Sequence, residues 1–247
     1  MRNIQSVIIV DTETTGLDPA TCAIIELAGV LYDIDARCVA GSFATLIHAE
    51  SNAAEGINRI PVAALASAPC AQHAWNRLGD LIDCAGDAVF MAHRAEFDQG
   101  FIAAKAPRLA GRLPWLCSKF DVEWPLSKPG ASCVEMALAH GVPVVSAHRA
   151  LTDCMLIART LENVQAAGHD LHAMLARALR PKGHYVADTP KPWEMADGEW
   201  PILKGKLHSA GFRFEENGQE KRWVGRVAHD DVAALPFAVR EVKGEAA

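Results

Sequence analysis

The sequence lacks the features of two broad classes of protein. No segment approaches the roughly 20 consecutive apolar residues that a membrane-spanning helix requires, so we expect no membrane span. No charged start followed by a long apolar run opens the chain, as it would in a signal peptide. We therefore expect a cytoplasmic protein.

The cysteines form no pair with the CxxC spacing of zinc and redox sites. There are seven, an odd number for a set of disulfides. They are scattered along the chain, at Cys22, Cys38, Cys70, Cys84, Cys117, Cys133 and Cys154. This distribution favours reduced thiols in a cytosolic protein over a disulfide framework.

The chain also has no excess of basic residues. It contains 24 Lys and Arg and 30 Asp and Glu, which gives a net charge of −6. This balance argues against a broad basic surface for nucleic acid. Basic residues are sparse in the first third and then recur, at Arg94, Lys105, Arg108, Arg112, Lys119 and Lys128.

Three short motifs concentrate carboxylates and a histidine. They are DTETTG at residues 11–16, HRAEFD at residues 93–98 and HRALTD at residues 148–153. Mg²⁺ and Mn²⁺ prefer carboxylate oxygens, and a histidine titrates near neutral pH. The motifs therefore predict phosphodiester hydrolysis with two divalent cations about 3.5–4 Å apart and a histidine general base.

The local sequence suits such a site. The β-branched run at residues 7–10 predicts a buried strand, whose alternation would put Asp11 and Glu13 on one side. A second strand at residues 87–92 would lead into a helix with Asp98 in its first turn. Asp153 is expected early in a helix over about residues 150–167, with His148 just before it.

Together the motifs resemble those of the DEDDh 3′–5′ exonucleases, a group that includes the proofreading subunit of bacterial replicative polymerases. The resemblance covers about residues 4–170 and implies an RNase H-like fold. It also implies two bound Mg²⁺ or Mn²⁺ ions and a catalytic role for Glu13 and His148. The implied metal ligands are Asp11, Glu13, Asp98 and Asp153. The sister group with a catalytic tyrosine is excluded, because neither tyrosine of the chain lies near Asp153.

The resemblance further suggests residues that contact substrate. It places Phe97 near the terminal base and the backbone of Thr14 near the terminal sugar. Many members carry Asn where this chain has Arg94, and a guanidinium there could reach a phosphate or a neighbouring carboxylate. We expect His93 to be structural, because the four acids already suffice as ligands.

The implied activity is removal of nucleoside monophosphates from 3′ ends, with DNA favoured over RNA. The implied partners are a nucleic-acid 3′ end and a DNA polymerase or another replication or repair protein. One alternative is an exoribonuclease of the same family. Another is a non-catalytic nucleic-acid-binding or polymerase-associated subunit, which retention of all four acids and the histidine disfavours.

The order of predicted elements indicates an α/β fold. Strands over residues 4–12, 23–33 and 37–47 precede alternating strands and helices, which predicts a mixed five-stranded sheet flanked by helices over residues 1–180.

Residues 181–247 predict a small α+β module of unassigned role, with a linker, a helix and a β-hairpin. Its hairpin interleaves basic and aromatic residues, which either bind single strands or form an ordinary amphipathic hairpin with the aromatics inward. These residues are Phe212, Arg213, Phe214, Lys221, Arg222, Trp223 and Arg226.

Overall fold

A computed structural model describes residues 4–145, 149–217 and 220–242. Within these ranges, no helix has both the length and the apolar character needed to cross a bilayer. The chain divides into two compact units. One comprises Met1–Ser127 with Ala131–Ala178, and the other comprises Lys128–Gly130 with Leu179–Ala247.

The first unit contains the predicted five-stranded mixed sheet. Its strands are β1 (Ser6–Thr14), β2 (Ile24–Asp33), β3 (Cys38–Leu46), β4 (Ala88–Ala92) and β5 (Trp115–Cys117). They lie in the order β3-β2-β1-β4-β5, where β1 is antiparallel to β2 and parallel to β4. The predicted sheet and α/β class are confirmed, and the three first strands match their predicted ranges within two residues.

Eight helices of this unit are described. They are α1 (Glu55–Asn58), α2 (Val62–Ala66), α3 (Ala71–Asp83), α4 (Ala95–Lys105), α5 (Pro107–Ala110), α6 (Cys133–Ala139), α7 (Ala150–Ala166) and α8 (Leu171–Ala178). The sequence pattern did not predict α1, α2 and α5. These helices have only four or five residues each, too few to show a helical repeat.

The sheet is covered on both faces, which explains why nearly all of β2 is buried. Ile8 and Val10 of β1 join a core with Leu78 of α3 and Phe101 of α4. Since side chains alternate along a strand, Asp11 and Glu13 point to the opposite face, where α7 contacts β1 and β2.

The second unit contains a four-stranded antiparallel sheet in the order β7-β8-β6-β9. Its elements are β6 (Lys182–Ala187), α9 (Glu199–Ser209), β7 (Arg213–Asn217), β8 (Glu220–Ala228) and β9 (Val239–Glu241), with 3₁₀ turns at Pro192–Glu194 and His229–Ala234. The predicted helix and hairpin are present. The sequence did not predict β6 or β9, because pairing with distant strands stabilises these short segments.

The hairpin aromatics are mostly core residues. Phe212 and Trp223 are buried with Leu207 of α9 and Tyr185 of β6, whereas Phe214 is half exposed and packs on Trp223. Buried rings cannot stack on bases, so the amphipathic-hairpin alternative is the better description of Phe212 and Trp223.

A buried hydrogen bond joins α7 to the sheet and supports a stability prediction. The Tyr32 hydroxyl donates to Gln165 Oε1 at 2.6 Å, and Gln165 Nε2 donates to the Ile34 carbonyl at 2.9 Å. Tyr32→Phe should lower the free energy of unfolding by about 1–3 kcal/mol, because Gln165 Oε1 would remain buried without its donor. Chemical denaturation followed by circular dichroism measures this change, and an unaltered midpoint would contradict it.

Candidate metal centre

The first two acids of the site are placed by β1. Asp11 and Glu13 lie two residues apart on this strand and so share a face. A β-bulge follows between Glu13 and Thr14, where the register with β2 shifts. Strand β1 therefore places both carboxylates directly before the bulge, where the strand bends.

Asp153 joins them from the first turn of α7. One carboxylate oxygen from each of Asp11, Glu13 and Asp153 lies within 4.8 Å of the other two. Asp11 and Asp153 are 142 positions apart in the chain, so the tertiary fold creates the cluster. Three convergent carboxylates form the hard oxygen donor set that divalent cations such as Mg²⁺ and Mn²⁺ use.

Asp98 is held beside this cluster from the first turn of α4. Its Oδ1 accepts hydrogen bonds from the Thr12 backbone N–H at 2.9 Å and from the Thr12 hydroxyl at 2.8 Å. Thr12 points toward the α4 face while its neighbours Asp11 and Glu13 point toward the α7 face. One strand therefore fixes acids that come from both sides of the sheet.

The buried acids hold their protons more tightly than isolated carboxyls do. Burial and then the charge of Asp98 raise the pKa of Asp11 well above its ordinary value. Burial followed by the charge of Glu26 raises the pKa of Glu13 to about 7. Burial raises the pKa of Asp98 to about 7, against an opposing effect of the Thr12 hydrogen bonds. This accumulated repulsion fits a site for cations, because bound positive charge would offset it.

The thiols beside the site are protonated and do not extend the donor set at neutral pH. Burial and then the charge of Asp153 raise the pKa of Cys133 to about 12. Burial also raises the pKa of Cys154, whose Sγ lies 3.9 Å from the Ala28 carbonyl oxygen. Oxygen ligands therefore dominate the centre.

His93 has the structural role predicted for it. Its Nδ1 lies 3.0 Å from Ser118 Oγ, and its Nε2 lies 3.1 Å from the Ala131 carbonyl. Burial, and then the charge of Lys119, lower the pKa of His93 to about 4. The ring is thus neutral and engaged at both nitrogens.

The predicted substrate residues are close to the acids in the chain. Arg94 is exposed at the start of α4, and its charge acts on Asp98. Phe97 is half-buried and packs on Phe101 with ring centroids 4.9 Å apart. Thr14 is buried, and its carbonyl accepts a hydrogen bond from the buried Asn58 at 3.2 Å.

His148 lies outside the described residues. The described chain resumes at Arg149, whose guanidinium binds Glu26 of β2 through two hydrogen bonds of 3.0 and 2.7 Å. The sequence analysis assigned no role to either residue. The available signal was a carboxylate in an otherwise apolar strand, because such a residue requires a buried partner.

The raised pKa values predict how the metal-free protein responds to pH. The folded state binds more protons than the unfolded chain between about pH 4 and pH 7, so the contribution of these acids to stability falls as pH rises through that interval. Asp98→Asn should relieve this repulsion while the amide oxygen still accepts from Thr12. In EDTA, the melting temperature of Asp98→Asn minus that of wild type should therefore increase as the pH is raised from 5 to 8.

Asp80→Asn serves as the control, since Asp80 is exposed on α3. Its difference from wild type should stay constant over the same pH series, as measured by thermal unfolding. A constant difference for Asp98→Asn as well would show that Asp98 does not share in the repulsion.

Comparison with known proteins identifies the family. The family model for exonucleases of the RNase T type matches residues 8–161. None of the curated proteins matches the chain.

Solved structures show the same fold at low sequence identity. A 3′-exonuclease that recognises the 3′ end of a histone mRNA stem-loop has a TM-score of 0.55 and 17% identity, covering 67% of this chain and 83% of that one. The nuclease domain of 3′hExo, a DEDDh family member bound to rAMP, has a TM-score of 0.53 and 16% identity. The match covers 67% of this chain and 94% of that one. The zinc-bound E. coli ExoI complex with single-stranded DNA has a TM-score of 0.59 and 14% identity. The match covers 95% of this chain and 68% of that one.

The family model spans more than half of the chain and contains the acids of all three motifs. The RNase H-like fold implied by the motifs agrees with the solved structures. The chain therefore belongs to the RNase T family of exonucleases.

Proposed function

We propose that the protein is a metal-dependent 3′–5′ exonuclease that removes nucleoside monophosphates from DNA 3′ ends. The observation that carries the proposal is the convergence of Asp11, Glu13 and Asp153 within 4.8 Å. The fold and the family support it, and several similar structures are described as 3′-exonucleases. The polarity, the substrate, the metal dependence and the histidine base are the proposed elements.

The site residues would divide the work as follows. When bound, two Mg²⁺ or Mn²⁺ ions supply Lewis-acid activation of the attacking water and stabilise the leaving oxygen. Asp11, Glu13 and Asp153 would hold them, with Asp98 as the fourth acid. The hydrogen bonds from Thr12 fix the orientation of Asp98 before any ion binds, which limits rearrangement on binding.

We assign the general base to His148, which immediately precedes Arg149 in the chain. A neutral imidazole would take the proton of the attacking water, a role that histidine often has because its ordinary pKa lies near neutrality. His93 is not a substitute, because its ring nitrogens already lie near Ser118 and Ala131.

The surroundings of the acids suit the 3′ end of a nucleic-acid strand. We assign Arg94 to a phosphate contact, Phe97 to the terminal base and Thr14 to the terminal sugar. Two large apolar side chains are exposed in neighbouring parts of the chain: Leu17, three residues after Thr14, is 84% exposed, and Ile57, which precedes the Asn58 that donates to the Thr14 carbonyl, is 69% exposed. Exposed apolar groups of this kind can pack against unstacked bases.

DNA is the proposed substrate, with RNA as the competing outcome of the test below. A DNA polymerase or another replication or repair protein is the proposed partner, and DNA repair or proofreading is the proposed cellular role. The cytoplasmic location also stays a prediction. The assignments of substrate, partner and cellular role rest on the motif resemblance alone.

End-labelled oligonucleotides test the function. With Mg²⁺ or Mn²⁺, a 5′-labelled DNA strand should yield a ladder of shortened products, whereas a 3′-labelled strand should release labelled mononucleotide at once. EDTA should abolish both reactions, because no alternative catalyst replaces the cations. Activity in EDTA would contradict the metal-dependent mechanism, and faster digestion of matched RNA would reassign the substrate.

Replacement of His148 tests the base. His148→Ala should lower kcat by about 10²–10⁴-fold, the usual contribution of a general base, with nucleotide-monophosphate binding largely kept. The wild-type rate should fall on the acid side of its pH profile as His148 becomes protonated, and the variant should lose that limb. His169→Ala, a change of an exposed histidine, is the control. An unchanged rate and profile for His148→Ala would remove it from the mechanism.

A further inference from the structure

A buried carboxylate outside the proposed ligand set lies next to the metal centre. Glu26 of β2 stands directly opposite Glu13 of β1 in the strand register, and its side chain is only 4% exposed. A fifth acid so close to Asp11 and Glu13 adds to their repulsion, which makes the position costly unless Glu26 has a specific partner.

That partner is the residue at which α7 begins. Arg149 Nε donates to Glu26 Oε2 at 3.0 Å, and the Arg149 terminal nitrogen donates to Glu26 Oε1 at 2.7 Å. The backbone N–H of Ala150, the first residue of α7, also donates to Glu26 Oε2 at 3.2 Å. Arg149 itself provides no side-chain cap, so the glutamate of a neighbouring strand caps this helix.

These contacts hold the turn that carries Asp153. The Arg149 carbonyl accepts the Asp153 N–H at 3.1 Å, so the turn that carries Asp153 is bonded to the clamped residue. The covalent neighbour on the other side is His148. A paired guanidinium and carboxylate restrict both distance and orientation, unlike a single ionic contact.

We propose that Glu26 and Arg149 are a positioning pair, which sets the first turn of α7, and with it Asp153, relative to the carboxylates of β1. The inference rests on the proposed function for its catalytic consequence. Glu26 acts through Arg149 and Ala150 and is not a further cation ligand, because its two oxygens already accept three hydrogen bonds. An ion pair in which only the carboxylate is buried adds little net stability, so its main effect here is geometric.

Conservative substitutions test the pair. Glu26→Gln places an amide N–H against the guanidinium, and Arg149→Lys keeps the charge but removes the paired geometry. Each should lower kcat by roughly 10²-fold with little change in KM for a short oligonucleotide, as expected when reacting groups are misplaced by about 1 Å. The double variant should lose no more than the worse single variant, because both changes break one interaction.

The matched control is another Arg–Glu ion pair, both of whose residues lie in α7. Arg159 and Glu162 form an ion pair on the surface of α7. Arg159→Lys and Glu162→Gln should leave kcat and KM at wild-type values. Equal losses in the control pair would mean that α7 responds to any altered ion pair, and the proposal would fail.

Hydrogen exchange provides a readout that is independent of activity. In the metal-free protein, amide exchange at residues 150–153 should accelerate in Glu26→Gln and Arg149→Lys, while exchange at residues 156–164 should not change. An inactive wild type would defeat the proposed function but leave this result interpretable. Full kcat and unchanged exchange in both variants, beside an active wild type, would overturn the positioning role alone.

Discussion

The constraint on which this structure depends is the convergence of like charge at the end of β1. Asp11, Glu13 and Asp153 approach within 4.8 Å, and the buried Asp98 lies close enough to raise the pKa of Asp11. Repulsion and burial both oppose this arrangement, so rigid elements must impose it. A central strand covered on both faces does so, because β1 cannot move without disturbing α7 and the core beneath α3 and α4.

The same constraint explains the polar contacts around the acids. Thr12 donates twice to Asp98, and Arg149 donates twice to Glu26. Both contacts link an element from one face of the sheet to a strand. Each therefore fixes a helix start, where a small rotation would move a carboxylate by an ångström or more. The fold thus defines the geometry of the site before a cation contributes.

The sequence predicted this architecture well where local patterns determine it. Alternation along β1 placed Asp11 and Glu13 together, and apolar and alternating segments located the strands β1 to β4 of the first sheet. Pairing over long sequence distances was not predictable in the same way. Strand β6 forms because β8 and β9 flank it, and Glu26 is recognisable as a functional residue only when Arg149 is brought to it across 123 positions.

The two kinds of carboxylate at this centre differ in where their compensating charge comes from. Glu26 receives a counter-ion from the chain, since Arg149 and the start of α7 supply three donors. Asp11 and Glu13 instead face other acids, and burial, together with the charges of these acids, raises their pKa values. A carboxylate with an internal counter-ion fixes structure, whereas carboxylates that repel one another favour cations from solution. Glu26 lies opposite Glu13 and yet has a different role. The hydrogen bonds that Glu26 accepts from α7 define that role, more than its distance from the other acids does.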